Sequence, residues 1–430
     1  MKKWIVSLTA ATVAAVTLLS GCVNLSGVDG KDGRDGKDAS AYEYYEIAKS
    51  ENPDLTVEEF LKQYLSVSDL DAFSLQASIN RSLFSGVSIA AAFTVKYEGF
   101  WSRPTTSYSF GSGVIIDLDL DKGDAYVVTN CHVIYNDTAT KHISDDVTLY
   151  LYGQDEEYLQ EYSIPATVVG ASRTYDIALL KVNGSKVLMS SSARAASFDT
   201  SDDVYVGETV YAVGNPEGYG ISATQGIISK ESETISVDLS SSNFVQDVKE
   251  YRVIRTDAAI NGGNSGGGLF NLSGGLVGIV NAKAASEDID NMGYALPASN
   301  VKRLVKLMQD NYLSGGFGSS TGVSQARIKA GYTAKNRTVK LVDDRAVISE
   351  TVYVTTEGDG LLKDDAIRSV KITDANGKVV EEKQITRTHH LDDVLLSVRK
   401  GYTVTFTVSR GGEITEVPVT ITNEHFLTLE

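Results

Sequence analysis

Cysteine, histidine and proline are scarce in this 430-residue chain, with two, five and six copies. Two cysteines, Cys22 and Cys131, exclude a disulfide scaffold and any zinc site built on thiolates. No metal or cofactor is expected. Positive charge is also in short supply. Lysine and arginine total 39 against 56 acidic residues, a formal net charge of −17. Nucleic acid therefore falls outside the expected partners, because phosphate binding needs a basic face. Long apolar runs are missing beyond the first segment. What is present is enough to fold: 42% of residues are hydrophobic and 22% charged. The length suggests about two to three domains.

The first segment reads as an address. Lys2 and Lys3 precede a mostly apolar stretch, Trp4 to Leu19, diluted by Ser7, Thr9, Thr12 and Thr17. That is short for a membrane span and right for a signal-peptide core. The run ends Leu19-Ser20-Gly21-Cys22, which resembles the bacterial lipoprotein box. The resemblance implies removal of residues 1–21 and lipidation of the Cys22 thiol, and two acyl chains are what stable anchoring takes. The remainder is expected to be exported, soluble and tethered. In residues 22–40, glycine recurs every third position from Gly27 to Gly36 without proline, a solvated spacer rather than a triple helix. Residues 41–70 read as a short helical module, with Thr56 and Glu59 as a capping box.

From Ser85 to Lys283 short β-rich runs alternate with turn residues, among them Val87–Ala92, Ile177–Val182 and Gly275–Val280. Many short strands at this spacing indicate a barrel or sandwich. Helical periodicity waits until Ala298–Asn311. Three segments carry chemistry. Val127-Val128-Thr129-Asn130-Cys131-His132 runs from a strand into a turn that presents a histidine. Asp176 opens the apolar strand Ile177-Ala178-Leu179-Leu180, and Ser265 sits inside the glycine run 262–268. Each alone is weak. Together they supply a base, its orienting carboxylate and a nucleophile. Imidazole suits the base, with an unperturbed pKa of about 6.5. A tetrahedral intermediate also needs backbone N–H donors from a tight turn, and Gly263 and Ser265, flanking Asn264, are the candidate oxyanion hole.

Thr129-Asn130-Cys131-His132-Val133, Asp176-Ile177-Ala178-Leu179-Leu180-Lys181, Gly214-Asn215-Pro216, Thr256-Asp257-Ala258-Ala259-Ile260, Gly263-Asn264-Ser265-Gly266-Gly267 and Gly293-Tyr294-Ala295-Leu296-Pro297 stand in one order. In that order they resemble the HtrA family of trypsin-like serine proteases. The resemblance implies a mainly β fold: a double six-stranded barrel over residues 75–310, with the active site between barrels. It implies His132 as general base, Asp176 as its partner and Ser265 as nucleophile, with homotrimers formed through the segment before the first barrel. Cys131 departs from the family pattern, and packing is its expected role. In trypsin-like folds the floor of the primary pocket lies six positions before the nucleophile, here Ala259.

Residues 311–323 read as a linker and 324–430 as a divergent PDZ-like α+β domain, with Leu391–Arg399 as its groove helix and Ala330-Gly331-Tyr332 as its loop. His389 and His390 read as exposed rim residues, not ligands. The expected function is a membrane-anchored, extracytoplasmic serine endopeptidase acting on misfolded or exported proteins. A surface chaperone or peptide-binding scaffold with latent protease activity is the alternative, and an adhesin on a glycine-rich stalk has only composition behind it.

Overall fold

The computed structural model describes residues 49, 52–53, 67–95, 103–154, 160–199, 204–238, 248–281, 292–313 and 323–429. The signal peptide, Cys22, the spacer and nearly all of the helical module lie outside the described residues. The chain divides into two units, Met1–Ser78 and Ile79–Glu430. Of the first, the description covers little beyond the start of helix α1 (Val67–Leu83), which runs well past the expected module.

Within the second unit the first barrel contains β1 (Gly86–Val95), β2 (Thr105–Asp119), β3 (Asp124–Thr129), β4 (Asp146–Leu151), β5 (Ile164–Ser172) and β6 (Ile177–Val182). It closes in the order β1-β2-β3-β6-β5-β4. The period-two pattern of β1 shows why: Val87, Ile89, Ala91, Phe93 and Val95 are buried, while Ala90, Ala92 and Thr94 face outward. Ile115, Val127, Leu149, Ile164 and Leu180 fill the same core. Each fully buried aliphatic side chain contributes about 1.5–3 kcal/mol of transfer free energy. Cys131 packs into this core at 2% exposure, as a small apolar group.

The second barrel follows β7 (Ser197–Phe198), which adds in parallel to its edge. Its strands are β8 (Thr209–Gly214), β9 (Ser222–Asp238), β10 (Val248–Thr256), β11 (Gly268–Asn271), β12 (Gly275–Val280) and β13 (Gly293–Pro297). Pairing of β11 with β12 closes the ring β11-β8-β9-β10-β13-β12. The fold is thus the mainly β double barrel that the resemblance implies. Strand β5 escaped the sequence reading because Pro165 interrupts it; it pairs opposite Thr148, near the strand's start, where a missing N–H is tolerated. Two single-turn helices, α2 (Cys131–Ile134) and α3 (Lys186–Met189), are too short to show periodicity.

Helix α4 (Ala298–Leu313) extends two residues beyond the predicted helix, into the expected linker. Val301, Leu304, Val305 and Met308 form its buried stripe, the i, i+3, i+4, i+7 pattern of an amphipathic helix. It lies against β12, β5 and β6, so it spans both barrels. The C-terminal part is a sheet of β15 (Gly331–Val342), β16 (Arg345–Thr356), β17 (Ala366–Thr373), β19 (Thr403–Arg410) and β20 (Glu413–Thr420), with β18 (Val379–Gln384) on β17. A separate ladder joins β14 (Val323–Ala326) to β21 (Phe426–Leu429). Here the groove helix needs correction. Helix α5 spans Thr388–Val394 and tightens to a 3₁₀ turn at Leu395–Ser397, so it starts earlier than Leu391 and stops before Arg399. Burial of Leu391, Val394 and Leu395 against the sheet sets that phase. The same phase buries His390 at 8% exposure, so it is not a rim residue, and leaves His389 half-buried beside Ser232 of β9. Tyr332 is the second residue of β15, and its hydroxyl donates to Asp392 of α5. Arg252 of β10 pairs with Asp393 of α5 at 2.6 Å, and Arg303 of α4 with Glu381 of β18 at 2.5 Å.

Candidate active site

Strand β3 ends at Thr129 and turns into α2, which offers His132 at 21% side-chain exposure. The turn is pinned from both sides. The Thr129 hydroxyl donates to the Ser112 carbonyl at 2.7 Å, and the Asn130 amide donates to the Asp176 carbonyl at 2.8 Å. Asp176 sits just before β6 at φ 51°, the left-handed region that only aspartate, asparagine and glycine adopt readily. That backbone turns its buried carboxylate onto the histidine. Oδ2 lies 2.6 Å from His132 Nδ1, and Oδ1 accepts the His132 backbone N–H at 2.9 Å. Oδ2 also accepts from the Asn281 amide at 3.0 Å. The carboxylate therefore fixes both the tautomer and the rotation of the ring.

Ser265 comes from the other barrel, on the turn between β10 and β11. Gly266 at φ 85° explains its neighbour: a Cβ there would stand 2.2 Å from the Ser112 carbonyl oxygen and 2.3 Å from the Thr129 hydroxyl. The close approach lets the Ser112 N–H donate to the Ser265 carbonyl at 2.8 Å. Gly263 is also left-handed, at φ 88°, and a Cβ would strike the Asn215 carbonyl at 2.2 Å. The Ser112 hydroxyl donates to the Gly263 carbonyl at 2.7 Å and accepts the Asn215 N–H at 2.8 Å. Asn264, Gly266 and Gly267 spend their N–H groups on Asn261, Val280 and Asn264 carbonyls. Among the described residues, the N–H groups of Gly263 and Ser265 have no acceptor, and no hydrogen bond joins the Ser265 hydroxyl to the His132 ring. In ligand-free sites such bonds are commonly long and tighten with substrate.

Ala259 is exposed, and its carbonyl accepts from the Thr224 hydroxyl at 2.9 Å. The nearby acid, Asp257, gives its Oδ1 to the Ile227 N–H at 2.6 Å. Sequence reasoning missed Ser112, Tyr251 and Asn281. Ser112, between Gly111 and Gly113, carried a faint signal as a small polar residue in an apolar strand. Asn281 follows an apolar strand as any turn residue would, and Tyr251 looks like any strand aromatic.

Two barrels, one carrying an imidazole–carboxylate pair and the other a serine on a glycine turn, have the build of the trypsin-like peptidases. Residues 111–279 match the trypsin-like peptidase domain family. Serine protease Do-like HtrB of Bacillus subtilis is 32% identical over 323 residues, 73% of this chain and 62% of that protein. Serine protease Do-like HtrA of Lactobacillus helveticus is 32% identical over 322 residues, 73% of this chain and 68% of that protein. A solved serine endoprotease from Yersinia pestis overlays with a TM-score of 0.41 at 23% identity, covering 81% of this chain and 97% of that one. The chain belongs to the Do-like HtrA serine protease family. Its match spans less than two thirds of the length of the Bacillus subtilis relative.

Proposed function

We propose that this protein is an extracytoplasmic serine endopeptidase, held at a membrane by a lipid on Cys22, that cleaves misfolded or exported proteins. The observation that supports the chemistry best is the His132–Asp176 pair at 2.6 Å beside a serine turn with two unspent N–H groups. In this reading Ser265 Oγ attacks the scissile carbonyl while His132 takes its proton. Asp176 stabilises the resulting imidazolium. The N–H groups of Gly263 and Ser265 receive the oxyanion. His132 then protonates the leaving amine, and water releases the acyl group by the same steps in reverse order. The Asp257 carboxylate is engaged by backbone, so no free acid is assigned to the primary pocket at Ala259. Cleavage after Val, Ala, Ile or Leu follows, graded at about 0.8 kcal/mol per methylene. The C-terminal sheet and α5 act as a divergent PDZ-like domain, and the protein works as a homotrimer.

A fluorophosphonate probe tests the core of this. Wild type labels and digests casein, and Ser265→Ala does neither while keeping its fold. Full hydrolysis by Ser265→Ala refutes the assignment, and absence of labelling in wild type favours the scaffold alternative. Membrane partition of wild type but not of Cys22→Ser tests the anchor separately.

A further inference from the structure

We infer that Tyr251 is a positioning residue for the peptidase reaction, acting on Asp176 through the side-chain amide of Asn281. The inference rests on the serine-peptidase reading above. Along β10 successive side chains point to opposite faces. Arg252 meets Asp393 of α5, and Tyr251 turns inward with 3% exposure. Its hydroxyl oxygen accepts from Asn281 Nδ2 at 3.0 Å. The other hydrogen of the same nitrogen goes to Asp176 Oδ2, also at 3.0 Å. Asn281 is fully buried, just past β12, and its backbone N–H donates to the Tyr294 carbonyl at 2.8 Å.

The arrangement matters because Oδ2 is the oxygen that holds His132 Nδ1. An ionised carboxylate only accepts, so the amide must present its NH₂ to Asp176. A half-turn of that amide would set a carbonyl against the carboxylate, two acceptors in contact. The Tyr251 oxygen receives the second amide hydrogen, so it anchors the same nitrogen that serves Asp176. Burial first, and the Asp176 charge second, push the Tyr251 phenol up, so it stays neutral across the working pH range. Asp176, held in a left-handed backbone, thus has its outer oxygen fixed by two donors from different barrels. One of those donors is itself fixed by Tyr251.

Tyr251→Phe keeps the ring and deletes only the hydroxyl. The expected kcat on a fluorogenic peptide falls about tenfold with KM unchanged, since the amide nitrogen then loses its second anchor and holds Asp176 less well. The acidic limb of the kcat/KM profile moves to higher pH, because a carboxylate deprived of a donor holds the imidazolium more tightly. In an Asn281→Leu background, Tyr251→Phe adds no further loss, which a purely structural tyrosine would not obey. Wild-type kcat in Tyr251→Phe, an unmoved or lowered acidic limb, or additive losses would overturn the inference. The single Tyr251→Phe arm decides the matter if Asn281→Leu does not fold. An active Ser265→Ala protein refutes the underlying reading instead; an inactive one beside a fully active Tyr251→Phe refutes only this inference.

Discussion

In the first barrel, the Asp176 carboxylate takes three hydrogen bonds, from the His132 ring, the His132 backbone and Asn281. In the second barrel, Ser265 is tied by its backbone carbonyl and its hydroxyl has no partner among the described residues. In the proposed reading the base arrives preassembled and the nucleophile unengaged, beside two N–H groups with no acceptor among the described residues. The difference is physically sensible. A base and the carboxylate that will stabilise its charge must be fixed before the reaction, since reorienting them during it would raise the barrier. The nucleophile and oxyanion donors must stay unsatisfied, because substrate is what satisfies them.

The largest break in this comparison is Asp176→Asn. Asparagine tolerates the same left-handed backbone, so folding is preserved and only the charge is lost. Activity should fall about 10⁴-fold, as expected when the ring is left in the wrong tautomer. Steady-state kinetics with a melting curve check it; near-normal kcat would show that the tied side is dispensable. Next comes Gly266→Ala on the untied side. Its methyl has no room at the Ser112 carbonyl, so the nucleophile turn must shift. A misplacement on the order of 1 Å should cost about 100-fold in kcat, with a lower melting midpoint. Wild-type rates would mean the close approach is not needed for alignment.

The smallest effect lies away from both, in the C-terminal sheet. Arg410 grips Asp365 with Nε at 2.9 Å and Nη2 at 2.7 Å, and that pair holds the Asp365 carboxyl below its ordinary range. A depressed carboxylate contributes stability above the unfolded value of about 3.9 and loses it as pH falls through the folded value. Arg410→Ala should therefore lower the melting midpoint by a few degrees at pH 7. The gap to wild type should narrow as pH falls through the folded value, and fluorophosphonate labelling at pH 7 should be unchanged. A gap that persists in acid would assign the loss to packing rather than charge.

The sequence showed most of the barrels because their strands alternate or run apolar between turns, and Ile177–Val182 and Gly275–Val280 fall where they were expected. The proposed triad, His132, Asp176 and Ser265, was legible because each residue sits in a short segment of special composition. The network behind them was not legible. Asn281 and Tyr251 lie far apart in the chain and meet only when β10 and β12 close the same barrel, so no local spacing marks them. His390 was misjudged for a related reason. A seven-residue helix is too short for its polar and apolar faces to separate on sequence alone.

The bond between the Ser112 N–H and the Ser265 carbonyl joins one barrel to the other through main chain alone. An alanine scan would pass over it, because truncating either side chain leaves both bonded atoms in place. The alignment of Ser265 with His132 is thus guarded by groups that every substitution except proline retains. What exposes it is added bulk at the glycines around it: a methyl at Gly266 collides with the opposite barrel, and one at Gly111 strikes Val133 and crowds the Ser265 carbonyl. The bond itself should therefore respond opposite to an apolar core: side-chain truncation leaves it in place, and the smallest addition at Gly266 strains it.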